Sequence, residues 1–213
     1  KVYSEISNFC VVDMSSFYLD ILKDRLYTFG KKSLERRSAQ TVLVAIIDAI
    51  TKLMAPILCF SAEEIWEFIP EDIKTEKSIH LTDWPVVNTD YFNEKLESEW
   101  EKIKEFRVHV LKSIEEIRDK KIVGSSLEVT LLLKIADKEL YAILDRYKKY
   151  LTMIFIVSEV FLEKKSFGDH EIIAGKINAP KCVRCWNLSK TVGENKDHPE
   201  LCNRCLTAIK GDN

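Results

Sequence analysis

Lys181-Cys182-Val183-Arg184-Cys185-Trp186 and, after a polar loop, Leu201-Cys202-Asn203-Arg204-Cys205 make up the stretch of this chain whose spacing names its own chemistry. Two Cys-x2-Cys pairs stand sixteen residues apart, the spacing of a structural zinc site. Each pair lets two thiolates face one ion from the same side, and two pairs close a tetrahedron with no position left for a substrate. The expected cofactor is therefore one zinc ion held by Cys182, Cys185, Cys202 and Cys205, which folds the tail and does no catalysis. Two disulfides or four unrelated core thiols are weaker readings, because random cysteines seldom form two matched pairs.

Outward from this tail, 213 residues with 46% apolar content can hold one large domain or two to three small ones. Cys10 and Cys59 are left over from the pattern, which suits a reducing compartment and a cytoplasmic protein. The longest apolar run, Val42 to Ile47, is far short of a membrane span, so no membrane partner is expected. The chain starts at Lys1 inside what reads as a helix already under way, the mark of a piece cut from a longer protein. The formal net charge of −2 is unevenly spread. Residues 61 to 102 carry twelve acids against four lysines, whereas residues 21 to 40 hold six basic and two acidic groups and residues 176 to 213 hold seven and four. An anionic partner would meet the two basic regions and avoid the middle.

In chain order, apolar residues from Ile6 to Leu26 recur at steps of three and four, predicting one long helix over Val2 to Phe29 that Gly30 ends. Cys10 lies on its apolar stripe and reads as a small core hydrophobe. Ser33 offers an N-cap for a second helix, whose body Val42 to Met54 is apolar nearly all round and so belongs in the middle of a bundle. Pro56 should kink or end it, and Ser61 with Glu64 reads as a capping box for a segment running to Phe68, with Cys59 in the core. After a loop, Phe92, Leu96, Trp100, Ile103, Phe106, Val110, Ile114 and Ile117 predict a long amphipathic helix stopping near Lys121. Beyond Gly124 the period changes. Leu127 to Ile135, Met153 to Leu162 and Glu171 to Ile177 read as strands and Lys138 to Lys149 as a helix. The expected fold is mainly α: an antiparallel helical bundle over residues 1–122, a small α/β module over 123–179 and a four-cysteine zinc finger over 180–213. The module carries no glycine-rich phosphate loop, no nucleophile with a base and no paired carboxylates, and no catalytic residue is expected anywhere in the chain.

Two places join charge to geometry. Lys31, Lys32, Arg36 and Arg37 surround the start of the second helix, where cations oppose the helix dipole by about 0.3–1 kcal/mol each while an anion is favoured. They form a candidate phosphate site, and a solvated charged loop accounts for them equally well. In the finger, Arg184 and Arg204 occupy equivalent positions and Trp186 follows directly on Cys185. The indole either covers the metal site or offers a platform for an unpaired base, with Lys181 and the arginines on phosphates.

At this point the residues carry a family likeness. Phe17-Tyr18-Leu19-Asp20-Ile21-Leu22-Lys23-Asp24-Arg25-Leu26-Tyr27, Arg36-Arg37-Ser38-Ala39-Gln40-Thr41, and Met54-Ala55-Pro56-Ile57-Leu58 with Ala62-Glu63-Glu64-Ile65-Trp66 resemble the helical anticodon-binding domain of class I aminoacyl-tRNA synthetases. The four-cysteine tail resembles the C-terminal zinc finger of bacterial isoleucyl-tRNA synthetases, and together the motifs cover Val2 to about Ile209. The resemblance implies an enzyme that joins isoleucine to its tRNA with ATP and magnesium and clears mischarged valine in an editing domain. The His-Ile-Gly-His and Lys-Met-Ser-Lys-Ser signatures of the catalytic domain are absent, so this piece by itself is expected to hold the anticodon stem and loop of isoleucine tRNA and to catalyse nothing. By the same resemblance Lys31, Lys32, Arg36, Arg37, Lys181, Arg184, Trp186 and Arg204 are the expected RNA-facing residues, on a monomer that binds no DNA. The competing readings are a helical interaction scaffold with a zinc knob, and the tail of a DNA glycosylase, which shares such a finger but begins with a catalytic Pro-Glu not seen here.

Overall fold

The computed structural model describes residues 1–211. They divide into two units, one made of Lys1–Asp20 with Lys32–Phe92, the other of Ile21–Lys31 with the chain from Asn93 onward. The chain is mainly α with one small sheet, as its periodicities predict.

In the first unit α1 (Val2–Asn8) runs without a break into a π-helical segment, Phe9–Tyr18, and then into α2 (Leu19–Thr28), most of which belongs to the second unit. The expected single helix is thus continuous but wider in its middle. There the Leu19 N–H donates to the Met14 carbonyl five residues back, and the Ser16 hydroxyl donates to the Val11 carbonyl at 2.7 Å. Helix α3 (Leu34–Met54) starts where Ser33 Oγ accepts from the Arg36 N–H at 3.3 Å, the cap that the sequence predicts. Its apolar body does not sit in the middle of a bundle. Of its described residues only Ala39 and Thr51 are buried, and Val42 and Val44 are exposed. An apolar stripe is buried only where another element faces it. Here that happens near the helix end, where α4 (Cys59–Phe68) and the turn Ile79–Leu81 bring Ala62, Trp66 and Ile79 onto Ala55. Trp66 Nε1 donates to the Glu76 carbonyl at 3.0 Å, and the Glu63 carboxylate accepts from Ser78 Oγ at 2.8 Å and the Ile79 N–H at 3.1 Å. Glu63 therefore pins the loop to the helix. The expected capping box at Ser61 does not form, because α4 begins two residues earlier at Cys59 behind Leu58. Cys59 is exposed and Cys10 half-buried, so neither is the core thiol that its apolar neighbours suggested.

The second unit is built on α5 (Glu94–Asp119), capped by the Asn93 side chain, which accepts from the Leu96 N–H at 3.0 Å. Its buried stripe, Ile103, Phe106, Val110, Ile114 and Ile117, lies against the inner face of a sheet. That sheet joins β1 (Val129–Ile135), β2 (Glu159–Lys164) and β3 (Glu171–Lys176) in the order β2-β1-β3, with β1 parallel to β2 and antiparallel to β3. The parallel pair needs a crossover, supplied by α6 (Lys138–Arg146) and α7 (Leu151–Phe155), whose Ile143, Leu144, Leu151, Ile154 and Phe155 complete the core. Each fully buried side chain of this size contributes roughly 1.5–3 kcal/mol, so the alternation of Val129, Leu131, Leu133 and Ile135 decides which face of β1 looks inward. Polar ties fix the helix register: Arg107 Nε donates to the Ile154 carbonyl at 2.8 Å, and the buried Glu99 carboxylate accepts from Arg146 and from the Tyr147 hydroxyl at 2.9 Å. Two sequence expectations change here. The long helix packs on the sheet, and Met153 to Phe155 belong to α7, which ends at Ile156 in the left-handed region (φ 56°) before β2 begins.

Candidate metal centre and nucleic-acid interface

The first knuckle is a turn closed by its own backbone. The Cys182 N–H donates to the Asn187 carbonyl at 2.9 Å and the Trp186 N–H donates to the Cys182 carbonyl at 2.9 Å. Trp186 sits at φ 64°, the left-handed conformation that lets the chain reverse immediately after Cys185, and the Asn187 amide steadies the turn by donating to the Cys185 carbonyl at 3.3 Å. The second knuckle opens α8 (Asn203–Lys210), so that Cys202 holds the N-cap position and Cys205 lies in the first turn. The Cys202 N–H donates to Cys182 Sγ at 3.4 Å. Ser158, just before β2, anchors the finger to the sheet: its hydroxyl donates to the Leu127 carbonyl at 2.5 Å and accepts from the Leu188 N–H at 2.8 Å.

The four sulfurs lie within 4.8 Å of one another, all buried, and none is in a disulfide. With zinc–sulfur bonds of about 2.3 Å, a tetrahedron has sulfur–sulfur edges of about 3.8 Å. The Cys185–Cys202 separation is 3.8 Å, the length of such an edge. Hydrogen bonds from Cys202 and Cys205 hold the Cys185 thiol far below the usual thiol range, while Cys185 and then Cys202 push Cys205 up. The centre can hold a metal; with four protein ligands it has no open position for chemistry.

The structure sorts the sequence-predicted RNA residues into two groups. Trp186 is 61% exposed, and Lys181 Nζ lies 5.4 Å from the centre of its ring. The indole therefore does not cover the metal core, a task that falls to Leu201, Leu206 and Val192. Lys31, Lys32 and Arg37 are exposed and Arg36 half-buried. Arg184 is half-buried and Arg204 exposed, and both are held by acceptors of the fold. Arg184 donates to the Thr28 carbonyl at the end of α2, and Arg204 clasps the Asp24 carboxylate, with Nη2–Oδ1 at 2.8 Å, while its guanidinium lies 5.3 Å from the Phe29 ring centre. Burial works against the charge on Arg204, and the hydrogen bonds and charge of Asp24 more than offset it. Sequence reasoning missed Asp24, Thr28 and Ser158, because no local signal links residues 156 and 180 positions apart.

Comparison with known proteins places these features together. A family model described as "Anticodon-binding domain of tRNA ligase" matches residues 1–134, and one described as "Zinc finger found in FPG and IleRS" matches residues 180–208. The chain is similar to isoleucine–tRNA ligases of Syntrophotalea carbinolica (39% identical, covering 98% of this chain and 23% of the relative), Persephonella marina (41%, 99% and 23%) and Natranaerobius thermophilus (41%, 100% and 24%). It spans about a quarter of the length of these curated relatives. The finger alone is shared with a second protein class, but the helical match fits neither the scaffold reading nor the glycosylase one. Among the described residues no helix is long and apolar enough to cross a membrane. The match over residues 1–134 settles the family: the chain belongs to the anticodon-binding domains of tRNA ligases.

Proposed function

We propose that the chain is the anticodon-gripping end of a cytoplasmic, monomeric isoleucine–tRNA ligase, and that it holds the anticodon stem and loop of isoleucine tRNA and no DNA. The observation that carries this is the order of the two family matches, helices first and four-cysteine finger last, on a chain about 40% identical to isoleucine–tRNA ligases along its whole length. ATP, magnesium, isoleucine activation and valine editing belong to the rest of such an enzyme. In this division of labour residues 1–122 grip RNA, residues 123–179 set the position of the finger, and residues 180–213 form the finger itself.

Cys182, Cys185, Cys202 and Cys205 would hold one zinc ion, which supplies a rigid closed tetrahedron and no reaction step. The finger's contribution to RNA is then Trp186 and Lys181. An exposed indole beside an ammonium suits a splayed-out base with its phosphate, an arrangement in which stacking is worth roughly 1–3 kcal/mol. Lys31, Lys32, Arg36 and Arg37 would meet phosphates near the positive end of the α3 dipole. Arg184 and Arg204 serve the same end indirectly, through the segment they hold. A filter-binding titration over a salt series tests the proposal. Tighter binding to isoleucine tRNA than to an unrelated tRNA, with affinity falling as salt rises, is the expected result; equal and salt-insensitive binding to both would refute it.

A further inference from the structure

Each knuckle carries an arginine immediately before its second cysteine: Arg184 before Cys185 and Arg204 before Cys205. The Arg184 guanidinium crosses to the opposite knuckle, its Nη1 3.6 Å from Cys205 Sγ. Both arginines reach a partner outside the finger, the Thr28 carbonyl for Arg184 and the Asp24 carboxylate for Arg204. The two far partners lie on adjacent turns of α2 and flank Tyr27, which is 78% exposed, with the exposed Lys31 just beyond them.

A zinc ion with four thiolates is a doubly negative centre, and here all four ligands are buried. An uncompensated buried charge is expensive, whereas donors held against ligand sulfurs by further hydrogen bonds stabilise the metal and orient its ligands. Two guanidiniums, one beside the second cysteine of each knuckle, match the charge of the centre, and the planar fork of arginine lets Arg184 bond a sulfur and a second acceptor together. The geometry points to Arg184 and Arg204 as a pair of positioning residues that offset the charge of the four-thiolate zinc centre and tie it to the end of α2, so that loading the metal also orders residues 21–31. This rests on the reading of the cysteine cluster as a zinc site. It makes the finger the foundation of the segment bearing Tyr27 and Lys31, in addition to presenting Trp186.

The test uses the whole zinc-loaded chain and two readouts: zinc affinity by competition with a chelating indicator, and amide hydrogen exchange over residues 21–31, with β1 as the folding control. Replacing both arginines by glutamine should lower zinc affinity roughly 10–100-fold and open residues 21–31 while β1 stays protected. Replacing both by lysine keeps the charge but not the fork, so zinc affinity should largely persist while protection of residues 21–31 falls. Asp24→Asn should open residues 21–31 with little effect on zinc. Stripping the metal from the unaltered chain should open residues 21–31 along with the finger. Wild-type zinc affinity in the glutamine variant, or a 21–31 segment that stays protected after the metal is removed, overturns the inference alone. A chain that binds no zinc overturns it together with the zinc reading. If the glutamine variant loses protection in β1, the lysine variant and Asp24→Asn carry the decision by the same two readouts.

Discussion

Two sets of basic side chains read alike in the sequence and are used in opposite ways. Lys32 and Arg37 at the start of α3 are exposed, whereas Arg184, half-buried, and Arg204, 41% exposed, turn onto sulfur, carbonyl and carboxylate acceptors of the fold. The difference teaches that positive charge by itself does not mark a phosphate contact. What decides is whether the fold brings an acceptor within reach, and here the acceptor for Arg204 lies 180 residues away along the chain. The exposed set should govern RNA affinity and its salt dependence; the anchored set should govern stability, metal retention and local order.

The largest break in this comparison should come from Cys202→Ser. Structural zinc sites release about 10–16 kcal/mol on binding, so losing one ligand should empty the site and open residues 180–208 to hydrogen exchange, with β1 and α5 still protected. A serine variant that retained zinc and a closed tail would remove the foundation of the anchored set. Trp186→Ala comes next: RNA affinity should weaken by about 1–3 kcal/mol while zinc content and Tm hold, because the indole is mostly in solvent. The reverse pattern, unchanged affinity with a lowered Tm, would make Trp186 a packing residue and move it to the anchored set.

Arg204→Gln sharpens the comparison from the other side. It should cost about 1 kcal/mol of stability, a fall of about 2–4 °C in Tm by differential scanning fluorimetry, since the pair with Asp24 is partly open to water. Lys32→Ala and Arg37→Ala should have the smallest effects, with stability changed by less than about 0.5 kcal/mol. In a salt series each should reduce the slope of log affinity by about 1 and weaken specific and unspecific tRNA equally. A stability loss without a slope change would show that these side chains, too, serve the fold.

How far such roles are legible in the sequence depends on the range of the interaction that creates them. The Cys-x2-Cys pairs are local and declare the cluster outright, and the seven-turn repeat from Phe92 to Ile117 predicts α5 to within a few residues. The surface on which α5 packs is not local. The stripe that suits a helical bundle equally suits a sheet, and here it meets Val129, Leu131 and Leu133. The apolar count of α3 misleads for the same reason: of its described residues only Ala39 and Thr51 are buried, and Val42 and Val44 stay exposed. Met153 to Phe155 illustrate short-range ambiguity, since a short apolar run fits helix or strand until the crossover geometry decides. For Arg184 and Arg204 the sequence shows only their matched positions beside the ligands. The partners that make them anchors, Asp24 and Thr28, sit on a helix that reads merely as amphipathic.

Nuclease footprinting of isoleucine tRNA in the presence of the zinc-loaded chain tests the central claim most directly. The account predicts protection confined to the anticodon stem and loop, lost when the metal is removed. Protection of the acceptor stem, or a tRNA left uniformly open at chain concentrations that saturate filter binding, would contradict it.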